Sequence, residues 1–119
     1  MSKLKAENLK PFLRWVGGKN WLVKHLDTLL PSGGFKNYHE PFLGGGSIFF
    51  SINPANISFL SDLNKDLLST FAMLKSDPES IIKILKNYKN NEEFYYKIRH
   101  KQMDDLFNID ARFIYLNKT

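Results

Sequence analysis

The sequence predicts an α/β fold with two parallel strands and about six helices, and three observations predict it. Two short apolar runs, residues 38–42 (Tyr-His-Glu-Pro-Phe) and 57–60 (Ile-Ser-Phe-Leu), flank a glycine triplet and a run of helical character. Because a helix joins them, the two strands pair in parallel. The rest of the chain carries apolar residues at three- and four-residue intervals, the spacing of amphipathic helices. With 119 residues, 43% of them hydrophobic, there is enough apolar material for a packed core and no reason to read a disordered polymer.

Taken in order, residues 19–30 place Leu22, Leu26, Leu29 and Leu30 at helical spacing, and Pro31 ends this first helix. Residues 38–42 form the first strand, 46–52 a helix, and 57–60 a second, largely buried strand. Residues 64–75 are amphipathic through Leu67, Leu68, Phe71 and Leu74. Asp77, Pro78 and Glu79 then supply a cap, a first helical position and an acidic first turn. The helix they start turns Ile81, Ile82, Leu85 and Tyr88 inward. Two further helical stretches are expected at 94–107 and 110–119. The aromatic pairs Phe49-Phe50 and Tyr95-Tyr96 read as core. Two strands against so many helices is lopsided, and the last helix reaches Thr119 without a stop signal, so the expectation is a chain incomplete at its C-terminus. Residues 1–75 and 76–119 form the expected division.

Several function classes fall away. The chain has no cysteine, which excludes disulfides and thiolate metal sites, and His25, His39 and His100 are too scattered for a metal centre. No run approaches the roughly 20 apolar residues that cross a bilayer. The start, with Lys3, Lys5 and Lys10 among polar residues, has no apolar leader core, which points to the cytoplasm. A net charge of +5 favours an anionic partner such as DNA.

The seven glycines fall in three groups, and the last, Gly44-Gly45-Gly46, follows the first strand directly. In open α/β folds a ligand lies beyond the carboxyl ends of the strands, where the first turn approaches it and an acid on the next strand binds ribose. Side-chain-free Gly44 and Gly46 allow a ligand onto the main chain, and the N–H groups opening the next helix face it. Asp62 closes the second strand at about the twenty-residue interval such acids keep. A carboxylate there accepts from two ribose hydroxyls, as an amide or a lysine cannot. Alone, the triplet is equally an ordinary tight turn, and Asp62 reads better as a helix cap ahead of Asn64; together, at this spacing, they point to a nucleoside-containing ligand. The dinucleotide version of this turn fits poorly, since its third glycine would fall at Phe49. A phosphate loop also fails, because Gly18-Lys19 is followed by Asn20 where Ser or Thr should hold magnesium.

Three motifs reach a known family. The runs 12–19 (Phe-Leu-Arg-Trp-Val-Gly-Gly-Lys), 40–47 (Glu-Pro-Phe-Leu-Gly-Gly-Gly-Ser) and 60–64 (Leu-Ser-Asp-Leu-Asn) closely resemble, in this order, the amino-terminal half of the Dam-type, D12 class DNA adenine-N6 methyltransferases. Tyr95-Tyr96 with Arg99, and residues 112–118, resemble the helical stretch before the catalytic motif of those enzymes. The resemblance covers nearly the whole chain.

It implies a Rossmann-like, S-adenosyl-L-methionine-dependent methyltransferase fold, seen in part. It also implies methyl transfer to adenine in double-stranded DNA, within restriction–modification or methylation marking. Trp15 and Lys19 match the first cofactor motif, whose ring and lysine lie near the bound cofactor. Glu40, Pro41, Phe42, Gly44, Gly46 and Ser47 match the cofactor loop, and Asp62 the acid that holds the ribose. Family members flip adenine into a pocket formed by Asp-Pro-Pro-Tyr. That motif is missing: the one Asp-Pro, Asp77-Pro78, runs into Glu79 at a helix start, so no catalytic residue is nominated and the chain is expected to be inactive alone. Lys97, Arg99, His100, Lys101 and Arg112 match the insertion that grips DNA, and a solvated helix face explains them equally well. Two other readings stay open, a non-catalytic cofactor- or DNA-binding remnant that needs a partner chain, and a nicotinamide-dependent oxidoreductase.

Overall fold

A computed structural model describes residues 10–119. The reading of the chain start, with Lys3 and Lys5, lies outside the described residues. Contacts divide the chain into two compact units, one ending at Leu63 and the other Asn64–Thr119. Residues 64–75, which the expected division grouped with the first segment, therefore pack in the second unit. Among the described residues, no helix is long and apolar enough to cross a membrane.

In the first unit the expected helix over 19–30 is broken into α1 (Asn20–Val23) and α2 (Leu26–Leu29). The break has a local cause: His25 N–H bonds the Leu22 carbonyl and Thr28 N–H the His25 carbonyl, both tight three-residue turns. The Thr28 hydroxyl takes the same His25 carbonyl at 2.8 Å, which competes with helical bonding there. Leu26 is buried by this arrangement, while Leu29 is left exposed.

Strand β1 (Tyr38–Glu40) pairs in parallel with β2 (Ser58–Leu60), with Tyr38 opposite Ser58, His39 opposite Phe59 and Glu40 opposite Leu60. The expected parallel pairing holds. β1 stops at Glu40 because Pro41 has no N–H for a ladder. Pairing resumes past the proline, where Ser61 N–H bonds the Glu40 carbonyl and Leu43 N–H the Ser61 carbonyl, both at 3.0 Å. These two bonds carry the chain after β1 alongside the chain after β2.

Between the strands lies α3 (Ser47–Ile52), ended by Asn53 in the left-handed region. It covers the Tyr38 side of the sheet, where the Tyr38 and Phe49 rings lie 6.0 Å apart. On the other side His39 and Phe59 stack at 4.7 Å, and both are exposed. β2 is therefore not largely buried as expected: Phe59 is 51% exposed and Ile57, just before the strand, 64%. Among the described residues of this unit, Leu13, Leu26, Leu43 and Ile48 are the buried apolar ones.

The second unit comprises α4 (Lys65–Ser76), α5 (Pro78–Lys86), α6 (Glu92–His100) and α7 (Leu106–Lys118). Each starts on a side-chain cap: Asn64, Asp77, Asn91 and Asp105 accept from Leu67, Ser80, Phe94 and Asn108 amides respectively. The last two caps correct the expected stretches 94–107 and 110–119. A break at 101–105 ends α6 early, and α7 begins at Leu106.

Leu67, Ile81, Ile98 and Ala111 are buried where α4, α5 and α6 pack on α7. Ile82 is 40% exposed, because a helical face through Ile81, Leu85 and Tyr88 leaves residue 82 off the seam. Tyr88, Phe94 and Tyr115 form a ring cluster at 5.2 to 5.7 Å, two of the three contacts edge-on. Tyr95 is half-buried and Tyr96 is 48% exposed, so only the first of that pair joins the core.

Candidate functional site

The stretch after β1 is arranged by two glycines with positive φ. Gly44 has φ +56° and Gly46 +84°, and these bends let Gly46 N–H reach the Leu43 carbonyl and close a turn ahead of α3. A Cβ at Gly44 would lie 3.0 Å from Cδ1 of Trp15, and one at Gly46 would lie 2.8 Å from Cε2 of Phe50. So the bare backbone is used first by the protein itself. The indole of Trp15 packs on Gly44, and the Phe50 ring packs under Gly46. The expectation that both glycines clear space for a ligand is corrected for Gly46, whose missing side chain makes room for α3.

Asp62 follows β2 and meets the same turn. Its Oδ2 accepts the Gly44 N–H at 2.9 Å, which fixes the carboxylate at the carboxyl ends of the two strands. This amide is thus directed at Asp62 and not at a ligand, a difference from the expected division of labour. What the pair creates is an oriented carboxylate beside a glycine turn.

Lys19 approaches the turn from the other side. Its ammonium donates to the Phe42 carbonyl and lies 3.3 Å from Glu40 Oε2. Glu40, the last residue of β1, is only 6% exposed, and its Oε1 accepts from the Tyr38 hydroxyl at 2.5 Å. Burial, and then the hydrogen bond and charge of Glu40, push the Tyr38 hydroxyl far above the ordinary tyrosine range. It stays protonated and always donates.

These residues border one cleft of about 190 Å³. Trp15, Lys19, Phe42, Gly44, Ser47 and Asp62 line it, six of the nine residues the sequence nominated. Phe42 is 71% exposed at its edge, a ring kept out of the core. Glu40 sits beneath the cleft, bonded to Tyr38 and paired with Lys19. Pro41 is exposed, and its carbonyl accepts from the Ser61 hydroxyl at 3.2 Å. A second cleft of about 560 Å³ shares Trp15, Gly18, Gly45 and Ser47 with the first. Sequence reasoning missed Tyr38: an alternating strand pattern gives no sign that its hydroxyl meets a carboxylate two residues on.

The basic residues of the second unit divide differently. Lys97, Arg99, His100 and Lys101 are exposed, whereas a guanidinium nitrogen of Arg112 donates to the Lys101 carbonyl at 2.6 Å. Among the described residues, no cluster of three His, Asp or Glu side chains is placed to hold a metal.

A glycine turn at the end of one strand, with a carboxylate at the end of its parallel neighbour, is how open α/β proteins build small-ligand sites. Within that class, the chain belongs to the D12 class N6 adenine-specific DNA methyltransferase family, which its residues 15–119 match. It is 35% identical over 99 residues to a type II methyltransferase of Lactococcus lactis subsp. cremoris, covering 82% of this chain and 34% of that protein. It is 33% identical over 132 residues to the type II methyltransferase M.MjaIII of Methanocaldococcus jannaschii, covering 93% of this chain and 46% of that one. A DNA adenine methylase of Vibrio cholerae is 33% identical over 115 residues, covering 92% of this chain and 40% of its own length. The chain thus spans less than half the length of these relatives.

Proposed function

We propose that this chain is the cofactor-holding part of a cytoplasmic DNA adenine-N6 methyltransferase that uses S-adenosyl-L-methionine and acts on double-stranded DNA. The proposed setting is a restriction–modification or methylation-marking system, and the proposed architecture is a Rossmann-like methyltransferase. The observation that carries the reading is the Gly44–Asp62 contact, in a cleft shared with Trp15 and Lys19, in a chain of this family.

The donor set suits the cofactor. Asp62, oriented by the Gly44 amide, accepts from the ribose hydroxyls. The exposed Phe42 ring offers an apolar face to adenine. Trp15 offers π density to a cationic centre. Bound there, the cofactor supplies a methyl group activated on a positively charged sulfur. The residues of this chain bind and orient it and keep the ribose edge from water.

The acceptor side of the reaction needs groups that take hydrogen bonds from the adenine amino group and a ring that stacks on the flipped base. The 119 residues carry no Asp-Pro-Pro-Tyr for that task. The expected result is binding without chemistry: calorimetry detects S-adenosylhomocysteine binding, and labelled cofactor with adenine-containing duplexes gives no methylated DNA. Absence of binding would sink the cofactor assignment, and substantial turnover would show that the acceptor groups lie elsewhere in these residues. The missing motif also favours a second reading, a binding module completed by another chain. On that reading, methyl transfer appears only when a polypeptide bearing Asp-Pro-Pro-Tyr is added.

A further inference from the structure

The ladder between the two strands extends past both of them, from the Tyr38 N–H on the Ile57 carbonyl at 3.1 Å to the Leu43 N–H on the Ser61 carbonyl at 3.0 Å. Side chains alternate along such a pair, so residues 38, 40, 58 and 60 face one way and 39, 57, 59 and 61 the other. The first set is buried or half-buried, and α3 lies on it through Phe49. The second set, His39, Ile57, Phe59 and Ser61, is exposed at every position. None of these four is Lys, Arg, Asp or Glu, in a chain where 24% of the residues are. Ser61 turns its hydroxyl to the Pro41 carbonyl at 3.2 Å, and the His39 and Phe59 rings stack on each other. What this face offers a partner is a largely apolar surface with no lysine or arginine to hold DNA phosphates. Parallel strands are ordinarily covered by helices on both faces, and here α3 covers one.

We propose that the exposed face built by His39, Ile57 and Phe59 docks an apolar helix face of the polypeptide that completes the methyltransferase. This rests on the reading that another polypeptide supplies the acceptor groups. More than half of the length of each relative compared has no counterpart in this chain, which is ample material for such a helix. A second copy of this chain suits the face less well, because each copy carries a net charge of +5 and the two repel. Helix docking also differs from strand addition at the sheet edges, which would use main-chain N–H and C=O groups and not these side chains. His39, Ile57 and Phe59 are all absent from the walls of the cofactor cleft. Docking can therefore be lost without loss of cofactor binding.

The probe is the part of the Methanocaldococcus jannaschii relative that this chain does not match, produced as a separate polypeptide and titrated into the 119-residue chain by calorimetry. The parent is expected to bind it. Phe59→Glu and Ile57→Lys are each expected to weaken that binding about a hundredfold, the scale of losing a central anchor and burying an unpaired charge. Ile82→Glu, at an exposed apolar residue of the other unit, should bind within about twofold of the parent. Phe59→Glu and Ile57→Lys should leave the thermal melting of the isolated chain and its affinity for S-adenosylhomocysteine as in the parent. If the probe does not fold alone, the two polypeptides are produced in one cell, and co-purification with the parent but not with Phe59→Glu is the expected result. No association by the parent, parental association by Phe59→Glu, or an equal loss in Ile82→Glu would each overturn the inference. So would a Phe59→Glu chain that melts well below the parent, because the face would then be packed within the chain. Sedimentation of the parent alone covers the remaining case: a dimer abolished by Phe59→Glu would mean that a second copy takes the face. Failure of the cofactor assignment is seen separately, as a parent chain that binds no S-adenosylhomocysteine.

Discussion

Replacing Asp62 by alanine isolates the part of the site on which cofactor binding turns. The carboxylate is half-buried, and its Oδ2 already holds the Gly44 amide at 2.9 Å. Hydrogen bonds to a charged group contribute about 1.5–3 kcal/mol each; taking the low end for two ribose contacts at a half-exposed site gives about 3 kcal/mol. That corresponds to an affinity loss of about a hundredfold for S-adenosylhomocysteine, read by calorimetry. The Gly44 bond is lost as well, which lowers stability by about 1 kcal/mol and is read separately by thermal melting. Asp62→Asn keeps an acceptor for Gly44 but not the charge, so its expected loss is smaller, about tenfold, with little change in melting. An Asp62→Ala chain that binds within about twofold of the parent would refute the reasoning, because the carboxylate would then face no ribose.

Other perturbations have outcomes that follow from single contacts. Gly46→Ala places a Cβ 2.8 Å from Phe50 Cε2 at φ +84°; strain and overlap together should cost about 2–4 kcal/mol in chemical denaturation, and Gly46→Ala/Phe50→Leu should recover part of it. Asp77→Ala removes the acceptor of the Ser80 amide and hydroxyl at 3.2 and 2.6 Å and should lower stability by about 1 kcal/mol by the same measurement. Asp110 is fully buried on α7, where it accepts from the Ser69 and Thr70 hydroxyls. Burial raises its carboxyl above the ordinary aspartate range, outweighing those two bonds, and Asp66 adds to the rise. The folded state therefore binds this proton more tightly than the unfolded one, so the contribution is fully present below the ordinary range and is lost as pH rises through the raised value. Asp110→Asn should accordingly gain stability relative to the parent as pH rises from the ordinary aspartate range, about pH 4, and a difference that does not change with pH above it would contradict the assignment.

How far the sequence is legible depends on how local each cause is. Asp77-Pro78-Glu79 announces α5 because the cap, the fixed φ and the first-turn charge all lie within one turn. The split between α1 and α2 is hidden, since it depends on whether the Thr28 hydroxyl or the helix claims the His25 carbonyl. The boundary between α6 and α7 is hidden for a similar reason: Asp105 becomes a cap only where the chain leaves the helix after His100, a break that Arg112 meets through the Lys101 carbonyl. Asp110 reads as a helix start, yet it lies in mid-helix on the buried face of α7, and its partners Ser69 and Thr70 lie far back in sequence.

The site divides along the same line. Gly44 and Asp62 are legible as a pair because strand ends in a parallel sheet bring turn and acid together wherever the crossover is right-handed and short. That they touch each other follows from the pairing that resumes past Pro41 through Leu43 and Ser61, and that Trp15 covers the turn follows from where the chain before α1 lies. Glu40 is nominated by motif alone. Strand alternation puts residues 38 and 40 on the same face, but that the Tyr38 hydroxyl meets the Glu40 carboxylate, and that Lys19 lies beside it, is settled only by the folded contacts.

The most direct test of the central claim is an amide and indole nuclear magnetic resonance titration of the 119-residue chain with S-adenosylhomocysteine. The largest shifts are expected on the Trp15 indole N–H and on the amides of Phe42, Gly44 and Asp62. Shifts confined to α4–α7, or none at saturating ligand, would contradict it.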